Sequence, residues 1–408
     1  MIKGKRNEGS IQAYAKGLFF AGFLYSGYFK ESVYFRATTI DLTVLFGVLT
    51  VLTIIYTLVI RPFRIPSSIY WVLALHVLCA IPVFWTVWSG YAEQKILRMF
   101  TITLLAAIAP PIIFRRDKDI SAFFKCVVFC AALIAVDTIV NWRAGVLKDD
   151  RLISFIREIA LGRIMAVASL WFLFHAITQN NLVKVIYFLI SAVFLILMIG
   201  AGARGPVLAF VIALLLISWI IIGHGRKAVL LSVLLILTVV VGSYALRIAP
   251  RASHERLIEF LTGTTDLRAT QRPLYFGLAL DNIIKNPAGI GWGGFEELST
   301  GGFSKNINRV YPHNLILEAF LEGGWVVGSF LCLFIGTAIY RSLKKARECF
   351  SSNQIFGLAF LVFLLVSVSF SNDWNDSRDF FALLSLAMAT SIDTEKPRPK
   401  YNKKPILV

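Results

Sequence analysis

The chain has 408 residues, 57% of them hydrophobic and 16% charged, with a formal net charge of +17. A soluble domain carries about 25% charged residues, and here the apolar residues lie in long runs, which excludes an ordinary globular domain and reads as a polytopic membrane protein. The basic excess fits positive-inside topology and attraction to anionic lipid heads, and nucleic acid is not an expected partner because no soluble domain presents a basic face.

A hydrocarbon core of about 30 Å needs roughly 20 apolar residues as a helix. About twelve spans are predicted in chain order, near 11–28, 38–60, 66–88, 98–114, 120–142, 160–178, 182–200, 205–223, 227–246, 313–340, 354–370 and 377–392. The basic start Lys3, Lys5 and Arg6 is followed by no small-residue cleavage site, so the first stretch, interrupted by Lys16, is expected to remain as a helix. The fourth contains Pro110-Pro111 and is expected to break near its inner end. Cys79, Cys126, Cys130 and Cys332 fall in spans and Cys349 in a basic loop; without metal-type pairing, neither a disulfide framework nor a structural metal is expected.

With the N-terminus inside, the inner segments hold about twice as many Lys and Arg as the short outer ones, so both termini are expected in the cytoplasm. The fold class is therefore all-α and polytopic, with about twelve transmembrane helices and one long outer loop, carrying short helices, between the ninth and tenth. The predicted division is 1–246 for helices 1 to 9, 247–312 for the outer loop, 313–392 for helices 10 to 12, and 393–408 for a Pro/Lys-rich cytoplasmic tail expected to be disordered. The loop is too polar for a bilayer and rich in Lys and Arg, which points to an anionic, phosphate-bearing substrate.

Candidate chemistry gathers on the outer side. Arg204 sits in Gly200-Ala201-Gly202-Ala203-Arg204-Gly205-Pro206. The string matches G-x-G-x-x-G, but a dinucleotide fingerprint needs a preceding strand and here a membrane helix precedes it. A tight turn offering an arginine to a phosphate fits, with lipid-head snorkelling as the alternative. Arg272 follows Thr270-Gln271 and precedes Pro273, a helix entry, with a short amphipathic helix over 274–285 and a glycine cluster, Gly289, Gly291, Gly293 and Gly294, after it. A surface ion pair with Asp281 or Asp266 is the alternative role. His313 follows Pro312, which is expected to set the first turn of the tenth helix. The dipole there disfavours imidazolium, so a neutral ring able to accept a proton is expected; an interfacial cap is the alternative. His76 and His175 are expected to be satisfied within the bundle. Glu318 and Glu322 lie four apart on the tenth helix; Glu322 is expected opposite His313, with Glu322-Gly323-Gly324 packing the bundle, and the last outer turn, holding Asp373 and Asp376, is expected to be a solvated turn that could orient a sugar or hold an arginine.

Together these features resemble the O-antigen ligase-related family of bacterial inner-membrane glycosyltransferases. Arg204-Gly205-Pro206 resembles its arginine turn. Arg272 with Phe276, Pro287 and Gly289-Ile290-Gly291-Trp292-Gly293-Gly294-Phe295 resembles its second arginine run, and His313-Asn314-x-x-Leu317 with Glu322-x-Gly324 its His-Asn motif. Ala203 stands where many members have Ser, and Phe276 where Trp is common. The resemblance implies a GT-C-like fold and transfer of a glycan from undecaprenyl diphosphate to a hydroxyl at the periplasmic face. It implies an O-antigen ligase with lipid A-core as acceptor; an O-antigen polymerase or a protein O-oligosaccharyltransferase are family alternatives, and the short tail beyond the last span speaks against the protein-directed branch. A lipid-linked oligosaccharide flippase is the rival from another class, disfavoured by sparse mid-helix charge. Arg204 and Arg272 would clamp the diphosphate, and His313 would be the base or a hydrogen-bond donor to the diphosphate. Tyr275, Tyr311, Asn314, Asp373 and Asp376 would line the substrate, and Arg247 and Arg251 would meet lipid A phosphates. No cofactor and no metal is implied.

Overall fold

The computed structural model describes residues 2–30, 40–60, 65–143, 147–148, 151–152, 158–178, 181–222, 272–301, 310–349 and 352–389. These are helical apart from turns and a two-residue strand pair, β1 (Leu147–Lys148) and β2 (Arg151–Leu152), antiparallel with Leu147 opposite Leu152. In chain order the first helices are α1 (Ile2–Phe29), α2 (Leu42–Ile60), α3 (Ser67–Ala80) with a 3₁₀ turn at Pro82–Trp85, and α4 (Gly90–Arg98). A π-turn at Met99–Thr103 leads into α5 (Leu104–Ile113), followed by α6 (Asp117–Arg143), α7 (Glu158–Thr178), α8 (Asn181–Gly200) and α9 (Arg204–Ile222). After the long loop come α10 (Arg272–Lys285), α11 (Phe295–Thr300), α12 (Leu315–Cys349), α13 (Ser352–Ser371) and α14 (Arg378–Ala389). Eight helices among the described residues are long and apolar enough to cross a membrane, which makes this a multi-pass membrane protein. Helices also stand at the predicted first, eighth and last spans, while the ninth, 227–246, lies outside the described residues.

The packing is that of a bilayer protein, with small and hydroxylic residues inward and large apolar ones outward. On α2, Gly47, Thr50, Thr53 and Thr57 are buried while Val44, Val48, Leu52, Ile55 and Val59 are exposed. Lipid tails are as apolar as Leu or Val, so helices associate through close backbones and polar contacts instead. Lys16, the residue that interrupts the first apolar stretch, is buried and donates to Thr57 Oγ1 at 3.2 Å, and α1 runs unbroken around it. Ser169 of α7 and Ser191 of α8 pair their hydroxyls at 2.9 Å. His76 and His175 turn Nδ1 to the carbonyls of Val72 and Trp171, at 2.8 and 2.9 Å, and the His175 ring stacks on Trp171 at 4.0 Å.

Two local expectations are corrected. The helix does not break at Pro110-Pro111: it keeps its course through both and stops at Ile113. The prolines fall in the last turn, where little helix remains to be lost. The irregular stretch of that span is instead the π-turn at Met99–Thr103. The tenth helix does not begin with Pro312 and His313; it begins at Leu315, and Asn314 Oδ1 caps it, accepting from the amides of Ile316 and Leu317 at 2.9 and 3.0 Å.

Candidate active site

The ends of α4, α7, α9, α12, α13 and α14 meet at one end of the bundle, and the glycine cluster is what shapes it. α12 is kinked at Gly324, whose φ of 84° and ψ of 175° are not helical. A kink frees carbonyls that a low-dielectric surrounding cannot satisfy with water. Here the loop after α10 satisfies them. The amides of Ile290 and Gly291 donate to the carbonyls of Leu321 and Glu322 at 2.9 and 3.1 Å, and Trp325 N–H returns a bond to Pro287 at 2.9 Å. The two backbones touch so closely that a Cβ on Gly289 (φ 84°) would lie 2.5 Å from the Glu322 carbonyl oxygen. Trp292 is fully buried beneath this seam, its indole donating to the Cys79 carbonyl at 2.8 Å and its amide to Thr86 Oγ1 at 2.9 Å.

Below the seam lies a buried charge cluster. Lys95 of α4 makes ion pairs with both Glu318 and Glu322 of α12, and all three side chains have no exposed surface. Each carboxylate also receives a backbone amide: Glu322 Oε2 from Gly293 at 2.9 Å, Glu318 Oε2 from Trp374 at 3.0 Å. The ammonium sits 5.3 Å from the Tyr91 ring and 5.7 Å from Trp292. The cluster thus fixes two loops at once, the glycine loop and the turn between α13 and α14.

That turn is not solvated as expected. Asp373 is 1% exposed and accepts the Tyr91 hydroxyl at 2.8 Å and the Asp376 amide at 3.0 Å. Burial, with Asp376 adding, pushes the Asp373 carboxyl above the usual carboxylate range. Two tryptophans from opposite loops, Trp292 and Trp374, both fully buried, meet edge to face at 5.3 Å next to this turn. Asp376 is half-exposed and holds Arg98 at 3.8 Å, the arginine partner that the turn offered.

His313 stands at the rim in the left-handed region (φ 58°), a conformation that His tolerates better than most. Its ring neighbours two tyrosines, Tyr311 at 4.3 Å and tilted, and Tyr275 of α10 at 6.3 Å and nearly parallel. α10 is seated by Ala279 and Ile283, which pack with Phe295 and Leu321, and by the Trp325 indole, which donates to the Ile283 carbonyl at 3.0 Å. Arg272 is the first residue of that helix, three residues before Tyr275. Tyr311 keeps its proton well above the ordinary phenol range, chiefly through burial and then through Asp373, Asp376 and Glu318, while Arg163 acts the other way. The Tyr311 hydroxyl therefore lies within electrostatic reach of the α13–α14 turn and of α7.

Arg204 opens α9 two residues after Gly202, whose φ of 69° ends α8 as a left-handed cap. Gly202 thus serves a helix end, while the close helix contact is made at Gly162 of α7: Pro206 packs 3.1 Å from where a Cβ on Gly162 would stand, and Ser371 Oγ lies 3.8 Å from that of Gly205. Ser371 in turn accepts from Arg163 Nη2 at 2.7 Å. The structure thus gathers the Arg204 turn, Asp373 and Asp376, and Tyr311 with His313 and Tyr275 around one end of the bundle. Arg247 and Arg251 lie outside the described residues, and of Arg272 only its place at the start of α10 is described. Asn314 is there too, with its side-chain oxygen engaged as the cap.

Sequence reading missed Lys95 and Arg163. Lys95 lies in the polar string Tyr91-Ala92-Glu93-Gln94-Lys95, which reads as an outer loop, and its partners are more than 200 residues away. Arg163 sits near the start of an apolar run, and a lone arginine in such a run was the available signal.

No curated protein matches the chain. Residues 187–332 match the family model described as O-antigen ligase, a segment that runs from α8 into α12 and includes Arg204, Arg272, Tyr275, His313, Glu318 and Glu322. Over that segment this multi-pass membrane protein is similar to the O-antigen ligase family.

Proposed function

We propose that the protein is an O-antigen ligase, transferring a glycan from undecaprenyl diphosphate to a sugar hydroxyl of lipid A-core at the periplasmic face of the inner membrane. The family match carries ligase- or polymerase-type glycosyl transfer. The observation that supports the assignment of the site is the contact of the His313 ring with Tyr311 and, nearly parallel, with Tyr275. In this reading residues 1–246 and 313–392 are the embedded frame, 247–312 the water-facing loop and 393–408 the cytoplasmic tail.

The reaction is a single displacement. The acceptor oxygen bonds to the anomeric carbon, the bond from that carbon to the diphosphate oxygen breaks, and the configuration inverts. His313 takes the proton of the incoming hydroxyl, which contributes about 10²–10⁴-fold. Arg204 and Arg272 bind the diphosphate more strongly as it gains charge, each charge-assisted bond giving roughly 1.5–3 kcal/mol. Tyr275 and Tyr311 orient the imidazole and offer flat faces to sugar, while Asn314 fixes the backbone that presents it. Arg247 and Arg251 meet lipid A phosphates. The donor is already activated by its diphosphate, so the step calls on no nucleotide or redox cofactor.

The test is transfer of labelled glycan to lipid A-core in proteoliposomes. His313→Ala should lower the rate by about 10²-fold or more, and Arg272→Lys should fail comparably, because a point charge cannot reproduce the guanidinium fork. Near-normal transfer by His313→Ala ends the assignment of the base. In a deletion strain, loss of every glycan-capped lipopolysaccharide band means ligase, whereas a single-repeat band means polymerase.

A further inference from the structure

Two cations of the described residues lie deep in the bundle at this end, and they are treated in opposite ways. Lys95 is matched by two carboxylates. Arg163, only 6% exposed, is not. Its Nη1 donates to Asn372 Oδ1 at 2.6 Å, and its Nη2 to Ser371 Oγ at 2.7 Å and the Ser367 carbonyl at 3.3 Å, all neutral oxygens. Its Nε is buried with no hydrogen-bond partner, and among the described residues no carboxylate forms an ion pair with it. Asp379 is near enough to feel the charge, but its Oδ1 accepts from the Phe380 amide.

A guanidinium held by neutral dipoles keeps its whole charge, and burying an uncompensated charge is costly. Ionisable groups retained inside a membrane protein mark substrate or ion paths by default. The place of Arg163 says which. Ser371 Oγ, its acceptor, lies 3.8 Å from where a Cβ on Gly205 would stand, and Gly162, the residue before Arg163, packs against Pro206. Its charge also acts on the Tyr311 hydroxyl. Arg163 therefore lies beside the arginine turn and within electrostatic reach of Tyr311, with one donor unspent. An anion that meets this donor beside an arginine turn needs several acceptor oxygens and little bulk, which describes a phosphoryl group.

We propose that Arg163 is a further anion-binding residue of this site, its Nε–H donating to a phosphoryl oxygen of the polyprenyl diphosphate donor. Asn372 and Ser371 hold the guanidinium plane in place, so that the residue meets the ligand preorganised. This rests on the donor reading given above, and the same chemistry is offered by lipid phosphates in general, so the experiment separates the sources.

The full chain is placed in phosphatidylcholine nanodiscs and titrated with undecaprenyl diphosphate, with undecaprenyl monophosphate and phosphatidylglycerol as parallel probes. Arg163→Gln should weaken undecaprenyl diphosphate by about tenfold or more, weaken the monophosphate less, and leave phosphatidylglycerol unchanged. Binding of undecaprenyl diphosphate within twofold of the parent overturns the proposal, and so does an equal loss for phosphatidylglycerol, which would make Arg163 a general lipid-head contact. Should Arg163→Gln fail to fold, Arg163→Lys keeps the charge and removes the fork. The proposal then requires a smaller preference for diphosphate over monophosphate, and an unaltered preference overturns it. Arg204→Gln separates the two levels of the argument: weakened donor binding there with intact binding in Arg163→Gln removes Arg163 alone, whereas intact binding in both removes the donor site as well.

Discussion

Lys95 is held by two glutamates in a space without water. The amides of Gly293 and Trp374 add a hydrogen bond to each carboxyl group. Removing one partner of a buried ion pair leaves an uncompensated charge and costs roughly 3–5 kcal/mol. Lys95→Met should therefore lower the unfolding midpoint severely in detergent, and Lys95→Met with Glu318→Gln and Glu322→Gln should recover most of the loss. If the triple variant is no more stable than the single one, packing and not charge is what the cluster supplies. At this scale the sequence was only half legible. The spacing of Glu318 and Glu322 placed both on one helix face. Nothing local disclosed that α4 would carry a lysine into them, because the polar string around Lys95 reads as loop. Asp373 misled for the same reason: Asn372-Asp373-Trp374-Asn375-Asp376 has turn composition, and only the tryptophans that fold over it reveal that it is enclosed.

Among the elements, α12 and the glycine loop depend on each other. The glycine cluster announced unusual backbone angles, and positive φ is found at Gly289, Gly291 and Gly293. What it docked against was hidden, since the target is a break in a membrane helix over thirty residues further on. Two substitutions contrast the roles of glycine. Gly289→Ala places a Cβ 2.5 Å from two backbone atoms at a φ of 84°, so it should uncouple the loop, lower the unfolding midpoint and speed proteolysis between α10 and α11. Gly277, inside α10, has open space around its added carbon, so Gly277→Ala should stabilise by about 0.5–1 kcal/mol. Equal effects from both would mean that helix propensity alone governs this region. The start of α12 was legible in type but not in register: Asn314 competes with Pro312 as the signal, and its side chain wins because it satisfies two amides.

For the molecule as a whole, long apolar runs made the membrane class and most helix positions readable, because roughly 20 apolar residues have few other solutions. The ends were less readable. α14 spans only Arg378–Ala389, and the first helix is polar enough to fall outside the eight that meet the length and hydropathy requirement. The arrangement makes a topological prediction. α13 runs from Asn353, which reaches the Asp117 carbonyl, to the Asp373 turn, and its length of about 30 Å is that of a hydrocarbon core. In a background without the native cysteines, Asn353→Cys and Asp376→Cys should react with an impermeant maleimide from opposite sides, Asp376→Cys from outside in intact cells. Labelling of both from one side would mean that α13 does not cross.

The seam between the glycine loop and α12 limits how this end of the protein can move. Detaching the loop would strip the Leu321 and Glu322 oxygens of their donors where no solvent replaces them. Any opening at this end would therefore carry the segment of α12 before Gly324, the loop and α10 together as one lever. The pivot would fall beyond Trp325, away from Tyr311 and His313.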